Sequence, residues 1–228
     1  AMGLFPIDGA GHQVLLPRSD YEIEDTWFVA GMRGTGTKDI HVPGAFVPDH
    51  RIMPAITFNE QNPPGAGVHE SYIYAMEFAP VQGSSPLGPL IGTAEGALAH
   101  YVAMTRSKKG AIFGNKVAES SAVQMRLSES AAEIHAADAV AQQDFAFLHE
   151  AAKSGHRLSD EERTAVVRNR GLIAKMCVRA TQRLVQMMGA SGLTDDNPVQ
   201  RHYRDVQGMA TQIGVAFDVS PADVAETE

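Results

Sequence analysis

The single cysteine, Cys177, falls on the apolar stripe Val166, Ile173, Cys177, Ala180, Leu184 and Met188 of a helical segment. A thiol in that setting packs as a small hydrophobe, because reactivity needs an accessible thiolate beside positive charge. No Gly-x-Ser-x-Gly elbow offers a serine in its place. The nine histidines (12, 41, 50, 69, 100, 135, 149, 156, 202) show neither HExxH nor paired-cysteine spacing. His135 and His149 lie about four turns apart on one helix and cannot chelate one ion. No metal site is expected.

Phosphate chemistry has better candidates. Gly31-Met32-Arg33-Gly34-Thr35-Gly36-Thr37 is glycine-rich and basic, although it matches neither a Walker loop nor GxGxxG. Taken alone it reads as a turn between strands. Gln186-Met187-Met188-Gly189-Ala190-Ser191-Gly192 is a second small-residue turn, which alone reads as a helix C-cap. In Asn197-Pro198-x-Gln200-Arg201-x-x-Arg204-Asp205, Arg201 and Asp205 stand one helical turn apart, as a surface ion pair would.

Two textures of chain must position these residues. Over 1–82, short apolar runs (Gln13–Leu16, Trp27–Val29, Ile40–Val42, Ala45–Val47, Tyr72–Met76) are punctuated by proline and glycine, and read as strands. From Pro86 the period becomes helical. Ile91, Ala94, Leu98 and Tyr101 mark a first helix before the break at 106–110. A second helix spans about 116–154, with the stripe Val123, Leu127, Ala131, Ile134, Ala141, Phe145 and Leu148. Ser159-x-x-Glu162 is a capping box opening a third, and Asn197-Pro198 opens a shorter fourth that frays after Gly214. The expectation is an α+β chain: a partial β-barrel segment over 1–82, an antiparallel four-helix bundle over 83–220, and a flexible tail over 221–228.

The chain has 228 residues, 44% of them hydrophobic and 20% charged, as in an ordinary globular protein. A net charge of −8 repels phosphate backbones and argues against nucleic-acid binding. No apolar run of about 18 residues predicts a membrane span, and no leader is visible, so a cytoplasmic protein is expected.

In order, three segments resemble the acyl-CoA dehydrogenase superfamily. Asp25 to Asp39 with Phe46-Val47-Pro48-x-x-Arg51 resembles its β-domain signature, and Gln186-x-x-Gly189-x-x-Gly192 resembles its cofactor turn. Asn197-Pro198-Val199-Gln200-Arg201-x-x-Arg204-Asp205 is similar to the C-terminal motif of one branch, the oxygenase components of two-component aromatic hydroxylases. The resemblance covers about residues 10–218. It implies a C-terminal portion of that fold, beginning inside the β-domain with the N-terminal helical domain missing.

It also implies chemistry. Reduced FAD or FMN, delivered by a separate flavin reductase, would form a flavin hydroperoxide that hydroxylates a small aromatic substrate in a homotetramer. By motif position, Arg33, Thr35 and Thr37 would flank the flavin from the β-domain, and Arg106 and Lys108 would meet its phosphates. Gln186, Gly189, Ala190 and Ser191 would come from a neighbouring subunit. The branch's histidine, eight residues after the motif arginine, is here Gln212. An amide cannot act as a base near neutral pH, but it can donate a hydrogen bond. The superfamily's arginine before Gln-Phe-Gly is replaced by Gly110 before Ala111-Ile112-Phe113-Gly114. Only Asp218 offers a carboxylate near 206–218, and it matches the dehydrogenase base poorly. Two alternatives remain: an acyl-CoA dehydrogenase-like FAD oxidoreductase, and a non-catalytic oligomerisation fragment, which suits the missing domain. Little turnover is expected of the chain by itself.

Overall fold

The computed structural model describes residues 1–55, 68–106, 108–109, 114 and 116–216. Gly110 to Phe113, Asp218 and the expected tail lie outside them.

The chain opens with a hairpin, β1 (Met2–Ile7) and β2 (Ala10–Leu15), paired in the register Ile7↔Ala10 to Met2↔Leu15. Its loop is Asp8-Gly9, with φ of 51° and 84°. Positive φ at both residues gives the twist that suits a two-residue hairpin, and Asp-Gly is among the pairs that adopt it readily. That dipeptide was a readable signal for β1, which the apolar runs alone did not reveal.

Further on, β3 (Glu22–Glu24) pairs antiparallel with β4 (Asp39–His41), and β5 (Ile52–Pro54) joins β2. The result is a three-stranded sheet, β1-β2-β5, and a separate β3-β4 ribbon. No barrel closes among the described residues. Three runs expected as strands, Trp27–Val29, Ala45–Val47 and Tyr72–Met76, are not strands. Trp27–Val29 turns back on itself because the Trp27 indole donates to the Met32 carbonyl at 2.9 Å. Ala45 and Val47 are apolar because they line a groove of about 280 Å³ with Phe5, Ile7, Val14, Leu16, Val42 and Ile52. Tyr72–Ala75 forms a 3-10 turn.

Among the described residues five α-helices follow: α1 (Phe78–Ser84), α2 (Leu87–Thr105), α3 (Ser121–Ser154), α4 (Asp160–Met188) and α5 (Pro198–Ala210). α1 precedes the onset of helical periodicity at Pro86 and is too short to show a period. The expected capping box is present: Ser159 Oγ accepts from the Glu162 amide and the Glu162 carboxylate accepts from the Ser159 amide. Gly155 ends α3 in the left-handed region, at φ 71°.

The core joins Leu87, Leu90, Ile91 and Ala94 of α2 to Ile134 and Ala141 of α3, to Ile173, Cys177 and Ala180 of α4, and to Val206 and Met209 of α5. Burial pushes the Cys177 thiol up to about 12, with Glu133 and Glu95 adding to the effect, so it is inert. On α3 the expected stripe is buried at Ile134, Ala141 and Leu148 but not at Phe145. Phe145 is 37% exposed, while Asp144 is 7% exposed and accepts from Asn169 Nδ2 at 3.0 Å. Beside it Arg170 is buried, and its guanidinium occupies the space of a β-carbon at Gly83, which would stand 1.5 Å from Nη1. Arg183 ties the two long helices by pairing with Glu129 and Glu133 at 2.9 and 3.0 Å. No helix among the described residues is long and apolar enough to cross a membrane.

Candidate functional site

Helix α5 holds both segments singled out in the sequence. It starts where Asn197 accepts from the Val199 amide at 2.9 Å and Pro198 occupies the first turn, where a missing N–H costs nothing. Asn197 also donates from Nδ2 to the Ser191 carbonyl at 2.6 Å, pinning the turn after α4. Gly189 within that turn has φ 64°, a conformation open to glycine. Gly192 is buried, and a β-carbon there would come within 2.7 Å of the Val185 carbonyl.

Near its other end, α5 holds the glycine-rich loop by its backbone. Asp205 Oδ1 accepts from the Met32 amide at 2.7 Å, and Arg204 Nη1 donates to the Ala30 carbonyl. Gly31 lies between them, so close that a β-carbon would sit 2.0 Å from the Arg204 carbonyl oxygen. Met32 in turn packs over Gly208. The expected Arg201–Asp205 surface pair is therefore corrected: Asp205 is spent on the loop amide, a partner distant in sequence that helical spacing could not show.

The predicted site residues fall into two groups. Arg33, Thr35 and Thr37 are exposed on the docked loop. Arg33 Nε donates to the Val29 carbonyl at 2.8 Å, Thr35 donates to the Met32 carbonyl at 2.9 Å, and the two threonine hydroxyls are 3.2 Å apart. The second group lies at the N-terminal end of α5. Lys108 Nζ donates to Ser191 Oγ at 3.1 Å, and Ser191 Oγ in turn donates to the Met188 carbonyl at 2.8 Å. Lys108 is held in place because its carbonyl accepts from the Val117 amide at 2.9 Å. Gln186 Oε1 accepts from Arg126 Nη2 at 3.0 Å, while Arg106, at the end of α2, is exposed. Lys108 and Ser191 thus meet within one chain. Gly189 and Ala190 are exposed beside them.

Gln212 stands apart from both groups, one turn beyond Gly208. It is exposed, and its Oε1 accepts from the Gly214 amide at 2.6 Å, which leaves the amide NH₂ as the outward donor. Sequence reasoning missed Arg126, which no motif flags, and the pairing of His100 with His202, which lie 102 positions apart.

Ammonium, guanidinium and hydroxyl donors gathered beside a glycine turn can hold an anionic group such as a phosphate. Among the described residues, no cluster of three His, Cys, Asp or Glu is arranged for a metal ion.

Comparison with known proteins gives a consistent set. Residues 87–217 match the family model described as acyl-CoA dehydrogenase, C-terminal domain. The oxygenase component of an FADH(2)-dependent resorcinol hydroxylase from Rhizobium sp. is 32% identical over 214 residues, covering 90% of this chain and 52% of the hydroxylase. The oxygenase component of p-hydroxyphenylacetate 3-hydroxylase from Acinetobacter baumannii is 27% identical, covering 96% of this chain and 53% of that protein. The crystal structure of 3-HSA hydroxylase from Rhodococcus sp. RHA1 superposes with a TM-score of 0.85 at 25% identity, over 95% of this chain and 57% of that one. The chain spans about half the length of the relatives it matches.

Proposed function

The chain belongs to the acyl-CoA dehydrogenase family, and from that premise we propose that it forms part of a reduced-flavin-dependent monooxygenase that hydroxylates a small aromatic substrate. One observation carries the reading: α5 fixes the glycine-rich loop through Arg204 and Asp205 and the small-residue turn through Asn197, so a single rigid element spaces two anion-competent segments.

The donor set fits a flavin's phosphates. Lys108 and Ser191, with Arg106 exposed nearby, would hold them, and Arg126 orients Gln186 at the same end. Arg33, Thr35 and Thr37 would meet the flavin from the loop. When bound, reduced FAD or FMN would supply the electrons that activate dioxygen for insertion into an electron-rich ring. Gln212 would donate a hydrogen bond without exchanging a proton, since an amide does not titrate near neutral pH. The relatives are named as oxygenase components, which supports a separate reductase as the source of reduced flavin. We read α2 to α5 as an antiparallel four-helix bundle over 83–220, docked to a β unit over 1–82, in a cytoplasmic tetramer. Acyl-CoA dehydrogenation is disfavoured, because Asp218 is the one carboxylate in the sequence over 206–218 and it matches the dehydrogenase base poorly.

An anaerobic titration of the purified chain with dithionite-reduced FAD and FMN, with light-scattering mass, tests this. Saturable binding to a tetramer is expected, weakened about tenfold in Lys108→Ala, the order of a lost charge-assisted hydrogen bond. A chain that takes up neither flavin refutes the reading.

A further inference from the structure

His202 of α5 and His100 of α2 meet where Gly96 leaves room between the helices; a β-carbon at Gly96 would stand 3.0 Å from His202 Cε1. The rings stack with centroids 5.1 Å apart and planes 30° apart. His202 Nε2 is 3.1 Å from His100 Nδ1, and the same Nδ1 is 2.9 Å from the Gly96 carbonyl oxygen. A carbonyl only accepts, so His100 Nδ1 must carry a proton. That N–H is shared with His202 Nε2, which must therefore present a lone pair. The geometry admits His202 only as the neutral tautomer with its proton on Nδ1. A proton added to the outer Nε2 of His100 leaves both hydrogen bonds intact. A proton added to His202 sets two N–H groups head to head.

The surroundings favour the neutral ring. Burial, then His100, then Arg201 hold the His202 pKa below the ordinary imidazole value, and Asp205 opposes them. From α2 the facing titratable group is His100; from α5 they are Arg201 and Asp205. The loop meets α5 here through the Ala30 carbonyl, the Met32 amide and the Met32 side chain over Gly208, none of which titrates. The two residues that hold this loop, Arg204 and Asp205, follow His202 by less than one turn.

We propose that the His100–His202 pair is a proton-operated latch: closed while His202 is neutral, and opened by its protonation, which loosens α5 from α2 and releases the loop at 30–32. The latch stands whether or not flavin binds.

Trp27 is the sole tryptophan, and its indole donates to the Met32 carbonyl, so its emission reports loop docking. Acidification from about pH 8 to about pH 5 is expected to shift that emission reversibly to the red, toward the emission of Asp205→Ala, in which the loop amide has lost its acceptor. In His202→Gln the shift should vanish, because the amide oxygen accepts the His100 N–H at any pH in the range. Imidazole ¹⁵N spectra near neutral pH should show His100 protonated at Nδ1 and His202 unprotonated at Nε2. An emission that ignores pH, or the same shift in His202→Gln, overturns the proposal. Should that variant not fold, wild-type spectra with His202 protonated at Nε2 overturn it equally.

Discussion

A carboxylate that accepts from a backbone amide and a guanidinium that donates to a backbone carbonyl fix a loop by its chain, leaving its side chains free for other work. Asp205 and Arg204 do this at Met32 and Ala30, so Arg33, Thr35 and Thr37 stay exposed on a pinned loop. The arrangement depends on Gly31, whose missing β-carbon lets the loop lie against the Arg204 carbonyl. Gly31→Ala should therefore undock the loop and cost about 1–3 kcal/mol, as overpacking does. Urea denaturation followed by Trp27 emission checks both effects. Unchanged stability with unchanged emission would show that the loop docks without this close approach. The motif Arg204-Asp205 was legible in the sequence, but its partners were not, because backbone acceptors and donors carry no residue signature.

Helix termini decide where the elements start and stop. The capping box at Ser159 supplies two of the amide partners that the first turn of α4 lacks. Ser159→Ala is expected to lower stability by about 1 kcal/mol, seen as a lower denaturation midpoint with an unchanged slope. A larger loss would mean that Ser159 also supports the α3–α4 turn. The signals at Ser159, Gly189 and Asn197 were legible because each acts locally. The strands were less so. Trp27–Val29 and Ala45–Val47 have strand composition, yet one is turned by an indole hydrogen bond and the other packs unpaired over a groove. Composition reports burial, and pairing is decided elsewhere. On α3 the expected stripe ran through Phe145, but the core face carries Asp144, whose carboxylate is accommodated by Asn169.

At the scale of the molecule, Asp144 couples folding to pH. Its carboxyl is raised, chiefly by burial, against the opposing hydrogen bond from Asn169 and the charges of Arg170 and Arg168. A carboxyl raised on folding contributes stability below its unfolded value and loses it as pH rises through the folded value. Asp144→Asn should therefore gain relative to wild type as pH rises through and above the ordinary carboxylate range, read from denaturation midpoints across a pH series. A difference between the two that stays flat with pH would show that Asp144 titrates alike in both states. Asp144 Oδ2 is buried without a hydrogen-bond partner, which adds to the cost of holding the carboxylate charged.

The glycines at 31 and 83 differ in what fills their missing side-chain space, and this sets how the sequence can drift. At Gly83 the neighbour is the tip of the Arg170 side chain, so a shorter residue at 170 would make room for alanine at 83. The two positions are bound to change in that order, the second substitution being tolerated only after the first. At Gly31 the neighbour is the Arg204 carbonyl, which every residue at 204 carries. No exchange of side chain elsewhere can open that space. In a library randomised at all four positions, functional survivors should show alanine at 83 only alongside a changed 170, and glycine at 31 throughout.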